Sequence, residues 1–178
     1  MSSPVDSTIG STTNSTTSST TNSTTGTTAA HSTTAPVDDD AIVPVGFDRS
    51  LAVVTEADGT TCELCVWLAT TRPERSRGLM EVTDLGAAHA MAFVYPEAHT
   101  GSFWMKNTVL PLSIAFFAPD GAFLDSFDME PCVTDDCVTY PTPADFLVAV
   151  EVPQGDLPEF GMTAGSTLEL LDAPCVES

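Results

Sequence analysis

The stretch Ser102-Phe103-Trp104-Met105-Lys106-Asn107-Thr108-Val109-Leu110-Pro111-Leu112-Ser113-Ile114-Ala115-Phe116-Phe117 decides the fold of this chain. It holds one of two tryptophans, three of nine phenylalanines and the only lysine. Its second half alternates, so Leu112, Ile114 and Phe116 share one strand face. Ala118-Pro119-Asp120-Gly121 is a tight turn, and Phe123, Phe127 and Met129 line the answering face of a return strand. This hairpin is the firmest structural reading in the sequence.

Working outward, Ser50 to Thr55 reads as a strand, Ala57-Asp58-Gly59 as a turn and Cys62 to Ala69 as the returning strand. Thr71 is placed as a helix N-cap, with Pro73 in the first turn and Glu74 three residues on completing a capping box. Gly78 ends that helix after barely two turns. Thr83 to Ala90 is a loop or a second short helix. Met91 to Tyr95 is a strand stopped by Pro96, and Phe146 to Val152 another, closed by Pro153. Gln154 to Gly161 is a loop or a single helical turn, and a final strand runs from Thr167 to Leu171. Short strands with frequent turns predict a mainly β domain, a small barrel or sandwich with one or two short helices, over residues 46–178.

Residues 1–45 are nearly all Ser, Thr, Asn, Gly and Ala. So few large apolar side chains cannot repay the entropy of ordering, and a disordered stalk or linker is expected. Asn14-Ser15-Thr16 and Asn22-Ser23-Thr24 are glycosylation sequons, though such composition produces them by chance. A Ser/Thr-rich leader ahead of a folded module fits an exported, surface-tethered protein whose secretion or lipoprotein signal, and lipid anchor, lay upstream. A cytoplasmic protein with a polar tail is the alternative.

The chain carries 25 acidic and 5 basic residues, a net charge of −20. Nonspecific nucleic-acid binding is excluded, because phosphate neutralisation needs clustered Lys and Arg. Docking on anionic lipid is disfavoured for the same reason. Near-absence of lysine beside this acidity points to a halophilic archaeon, since salt screens the self-repulsion. No run of 18 apolar residues exists, so no transmembrane segment is expected.

Five cysteines form two close pairs, Cys62 with Cys65 and Cys132 with Cys137, and leave Cys175 over. A four-thiol zinc site is the sharp reading. Against it, Cys62 and Cys65 fall three apart on a strand and point to opposite faces. Disulfides fit an exported protein better, with Cys132–Cys137 closing an acidic loop and Cys175 joining either Cys62 or Cys65.

The catalytic patterns are thin. His89 and His99 lack a paired nucleophile, Ser102 and Ser113 sit in no nucleophile elbow, and Glu97 beside His99 is more readily a solvated loop than an acid/base pair. No phosphate loop, dinucleotide fingerprint or paired-carboxylate pattern occurs, so no cofactor is assigned. Met80, Met91 and Met105, with His89 nearby, are a minority option for soft Cu(I) ligation; core filling is the ordinary role of such methionines. Lys106 and Asn107 stand out more. An ammonium and an amide at the rim of an aromatic core, with Arg77 and a Trp104 wall, would suit an anionic or hydroxyl-rich small molecule. The structural reading pairs Lys106 with Glu81 or another carboxylate instead.

Arg77-Gly78-Leu79-Met80, Met91-Ala92-Phe93-Val94-Tyr95 and Phe103-Trp104-Met105-Lys106-Asn107-Thr108 with Pro111-Leu112 resemble the signature of the DUF192 family. Val150-Glu151-Val152-Pro153-Gln154-Gly155 and residues 161–165 are similar to its closing segment. The resemblance spans roughly residues 50–172 and implies a small, mainly β domain, often exported or lipid-anchored, with no reaction attached. Three positions depart from the family pattern: Glu81 where a basic residue is usual, Ser113 where Asp is usual, and Ala90 where Gly is common. Together these readings give a cell-envelope or extracellular module that binds a small polar ligand or plays a structural part at the surface, with an enzyme less expected. A hydrolase or transferase on the Arg77, Lys106 and Asn107 rim, or copper handling, are the other classes. Oligomeric state is open.

Overall fold

The computed structural model describes residues 40–143 and 145–175. Most of the Ser/Thr-rich leader therefore lies outside the described residues. Residues 42–45 are already tied to the domain: the Ile42 amide donates to the Thr83 hydroxyl, the Thr83 amide donates back to the Ile42 carbonyl, and Arg77 donates to the Val45 carbonyl.

Among the described residues nine strands and one helix follow in the order β1 (Asp48–Thr55), β2 (Thr61–Ala69), α1 (Arg72–Arg77), β3 (Ala90–His99), β4 (Ser102–Trp104), β5 (Leu112–Phe117), β6 (Phe123–Met129), β7 (Thr139–Pro141), β8 (Phe146–Pro153) and β9 (Thr167–Leu170). Seven form one sheet in the order β6-β5-β8-β3-β2-β1-β9, and β4 pairs with β7 in a separate ribbon. Every pairing is antiparallel except β2 with β3. That parallel pair needs a crossover, and residues 70–89, carrying α1, provide it.

The expectation of a mainly β domain holds. The sheet is not closed into a barrel. Its two edge strands approach only where Ala122 bridges Thr167, with the Phe123 amide donating to the Ser166 carbonyl and the Leu168 amide to the Gly121 carbonyl. Gly121 makes this approach possible: its φ is +83° and a Cβ there would lie 2.6 Å from the Leu168 carbonyl oxygen.

The capping box at Thr71 and Glu74 forms as expected, and Gly78 terminates α1. Residues 83–89 are loop rather than helix, and residues 154–161 are turns. Pro96 does not end its strand. A register irregularity between Val94 and His99 lets β3 run on past the proline, because a bulge relieves the need for an amide donor there.

Alternation along the central strands divides the core in two. Ala52, Val54, Leu64, Val66, Phe117, Val150 and Val152 fill one side of the sheet, covered at the end by Leu157 and Met162. Leu112, Ile114, Phe116, Met91, Phe93 and Phe146 fill the other. The second layer is roofed by Leu79, Val82 and Leu85 of the crossover, by Met105, and by Phe103 and Tyr140 of the β4–β7 ribbon. A sheet covered on both faces explains why β5 is buried at all six positions.

The cysteines resolve as Cys65–Cys175 and Cys132–Cys137, with Cys62 a free, half-buried thiol. Among the described residues no cluster of His, Cys, Asp or Glu is close enough to hold a metal ion, and no helix is long and apolar enough to cross a membrane.

Candidate functional site

The Trp-Met-Lys-Asn-Thr block sits where β4 leaves the ribbon. Trp104 is half exposed at 51%, and the Lys106 ammonium lies 5.9 Å from its ring centroid. The carboxylate facing Lys106 is Asp135, at 3.8 Å on the disulfide-closed loop, rather than Glu81. Glu81 meets the block through its backbone instead, its amide donating to the Asn107 carbonyl at 2.7 Å. Both residues adopt positive φ, 63° and 55°, which is how two chain reversals dock back to back. The Arg77 guanidinium stacks on Phe47, 4.7 Å from its centroid. The structure thus brings Trp104 and Lys106 together, leaves Asn107 exposed beside them, and turns the Arg77 charge toward the start of the domain.

The methionines divide likewise. Met91 and Met105 are fully buried in the same aromatic layer, while Met80 is partly exposed at the edge of a small cavity. Ser113 is buried on β5, donating to the Asp128 carboxylate across the ladder and accepting from the Gly155 amide at 2.9 Å. The carboxylate that the family pattern places at this position is here on the neighbouring strand.

A residue that carried no role in the sequence reading occupies the most unusual position. Glu151 lies in the middle of β8, paired with Ile114 on one side and Met91 on the other. It shares a face with Ala149, so its side chain enters the aromatic layer and is only 4% exposed. It makes no hydrogen bond or ion pair with another described residue. Loss of water pushes its pKa up to about 8, so the carboxyl is largely protonated at neutral pH. The hint in the sequence was a lone acid inside Phe-Leu-Val-Ala-Val-Glu-Val, an otherwise apolar strand.

Glu151 borders a cavity of about 30 Å³, enough for one small group, whose walls include Leu79, Phe93, Phe103, Trp104 and Thr108. Gly78 completes it. A Cβ at that position would sit 3.1 Å from the Phe93 ring, and its φ of +47° with ψ −133° suits only glycine. Beyond it lies an open groove of about 520 Å³ bordered by Arg72, Arg75, Tyr95, His99 and Trp104. The two hollows share Arg75, Ser76, Phe103 and Trp104. Arg75 lies over the Tyr95 ring at 4.6 Å and donates to the Val94 carbonyl at 2.8 Å. Tyr95 in turn stacks on His99, 4.4 Å between centroids. Burial raises the Tyr95 pKa, the Arg75 charge opposes that, and Glu151 adds to it, so the phenol is in electrostatic reach of both. Arg72 has no partner among the described residues.

A mixed sheet with Glu151 in a small cavity beside an arginine- and aromatic-bordered groove defines a small, mainly β domain. The DUF192 family model, described as "Uncharacterized ACR", matches residues 53–170, and the chain belongs to this family. Two solved structures are similar. One is a putative transcription regulator from Sinorhizobium meliloti, 28% identical, with a TM-score of 0.60, covering 71% of this chain and 97% of its own. The other, a protein of unknown function from Novosphingobium aromaticivorans, is 30% identical, with a TM-score of 0.61, covering 81% and 99%. No curated protein matches the chain.

Proposed function

We propose that this domain is a binding module for a small polar ligand, held in the groove between α1 and β4. The observation that carries the reading is Glu151, a buried carboxyl with no partner among the described residues, bordering a cavity that shares the walls Arg75, Ser76, Phe103 and Trp104 with that groove. Burying an unpaired carboxyl is costly, and a fold tolerates it chiefly where a ligand or a reaction uses it. Trp104 and Tyr95 supply flat apolar walls, and Arg72 and Arg75 supply donors at the mouth.

Export to the cell envelope or the outside of a salt-adapted cell belongs to the same proposal. Two disulfides support an oxidising compartment, and a net charge of −20 supports high salt. The polar leader would then act as a stalk below a lipid anchor. A hydrolase or transferase on the Arg77, Lys106 and Asn107 rim draws no support from the geometry, because the Arg77 charge faces Phe47. Copper handling draws none either, with Met91 and Met105 packed inside the apolar layer.

The test is a titration of the ¹⁵N-labelled full chain with a panel of sugars, carboxylates, amines and nucleobases. Amide shifts confined to residues 72–79, 93–104 and 151, and lost in Trp104→Ala, are expected for at least one compound class. Shifts scattered over the surface, or none at all, would reject the groove as a binding site.

A further inference from the structure

We infer that the ligand is a small zwitterion that seats a primary ammonium in the cavity against Glu151 and directs an anionic end to Arg72. This rests on the groove being a binding site and specifies what it takes.

The two adjoining hollows differ in chemistry. At the inner end the only acid is Glu151, and around it stand Phe93, Phe103 and Trp104. Aromatic rings beside a carboxylate are the surroundings that favour a compact cation, and about 30 Å³ admits a group no larger than an ammonium. Two other charged residues border the cavity, Arg75 and Arg77. Their guanidinium groups are engaged elsewhere, Arg77 on Phe47 and the Val45 carbonyl, Arg75 on Tyr95 and the Thr70 and Val94 carbonyls. Of the strands flanking Glu151, its cross-strand partners Met91 and Ile114 carry no charge, and Tyr95 on β3 is a neutral phenol at physiological pH. An incoming ammonium therefore meets one carboxyl and no competing ion pair.

The outer groove carries Arg72, Arg75 and His99 and a single acid, the exposed Glu97. Arg72 is exposed and without a partner among the described residues, and Arg75 lies next to it at the mouth with His99. A carboxylate or phosphate tail finds its donors there. The strongly acidic surface elsewhere disfavours a purely anionic ligand, so the cationic head gives the field of the whole molecule something to attract.

An ammonium bound at Glu151 displaces the carboxyl proton, which gives the proposal a signature that shape complementarity alone does not. Glu151 is mostly protonated in the free protein at pH 6.5 and ionised in the complex, so close to one proton is released per ligand bound. Affinity rises with pH until about 8, then levels.

The experiment titrates the full chain with three matched probes, 4-aminobutyrate, butylamine and butyrate, by calorimetry in two buffers of different ionisation enthalpy. 4-Aminobutyrate is expected to bind at least tenfold tighter than butyrate, with butylamine between them, and both amines to release a proton. Glu151→Gln, close in shape to the protonated acid, should remove the proton release and weaken the amines at least tenfold. Butyrate binding as well as 4-aminobutyrate, or Glu151→Gln retaining amine affinity, overturns the zwitterion while leaving the groove as a site. If none of the three binds while another compound class shifts the groove amides, the ligand class is wrong and the site stands. If nothing shifts those amides, both readings fall.

Discussion

Glu151 on β8 stands directly across the ladder from Met91 on β3, a carboxylic acid registered against a fully buried thioether. Among the described residues no group pairs with that carboxyl, and burial alone raises its pKa. Its folded pKa of about 8 lies above the ordinary value of 4.5, so the folded state holds a proton that the unfolded chain has released over the interval between them. Proton binding then favours the fold, and stability falls as pH rises from about 4.5 to about 8. The full effect is on the order of 5 kcal/mol. Urea unfolding at pH 5 and pH 9 should show the wild type losing stability with pH and Glu151→Gln losing much less.

Ser113 ties β5 to β6 and to the turn after β8 through one hydroxyl, donating to Asp128 and accepting from Gly155. Ser113→Ala removes the donor to Asp128 and the acceptor of the exposed Gly155 amide and should cost roughly 1 kcal/mol in chemical denaturation. Ser113→Asp sets two carboxylates face to face and should be worse. Adding Asp128→Ser should recover most of the loss, which would show that one carboxylate on either strand satisfies the site.

The two disulfides should contribute unequally. Cys65–Cys175 spans 110 residues of sequence and Cys132–Cys137 only 5. In the chain-entropy account this corresponds to about 5 and about 2 kcal/mol. Thermal unfolding of Cys65→Ala/Cys175→Ala should therefore fall well below that of Cys132→Ala/Cys137→Ala. Equal losses would indicate that the terminal crosslink constrains little of the unfolded chain.

Gly78 places a backbone turn against the Phe93 ring in a conformation side chains avoid. Gly78→Ala should lose about 1–3 kcal/mol from backbone strain, read as a lower urea midpoint, and a bulkier residue should also close the cavity beside Glu151.

Lys106 and Asp135 form a pair 3.8 Å apart, with Lys106 about a third exposed and Asp135 fully so. Solvent and salt screen such a pair. Lys106→Ala should leave the urea midpoint unchanged in both low and high salt; a clear drop at low salt would show that the pair anchors the disulfide loop.

The local elements were legible because their signals are local. The cap at Thr71, the stop at Gly78 and the hairpin between Leu112 and Met129 each depend on residues within a few positions, and each appears as read. Pro96 misled for the opposite reason. Whether a proline ends a strand depends on whether the partner strand asks for its amide, and the bulge before His99 removes that demand. The family signature drew attention to Trp104 and Lys106, which do lie together, yet the rim of Arg77, Lys106 and Asn107 does not gather its charges in one hollow.

Composition and periodicity by themselves determined that this chain builds short strands around an aromatic core, and they pointed to Cys132 pairing with Cys137. They could not decide which sheet face each strand presents to which neighbour. Glu151 shows why. The alternation that aims a side chain in or out is written locally, but what it meets there depends on β3, α1 and β4, from far along the chain. Burial, and with it the raised pKa and the vacant hydrogen-bonding capacity, is a property of that assembled surrounding, and only the tertiary structure supplies it.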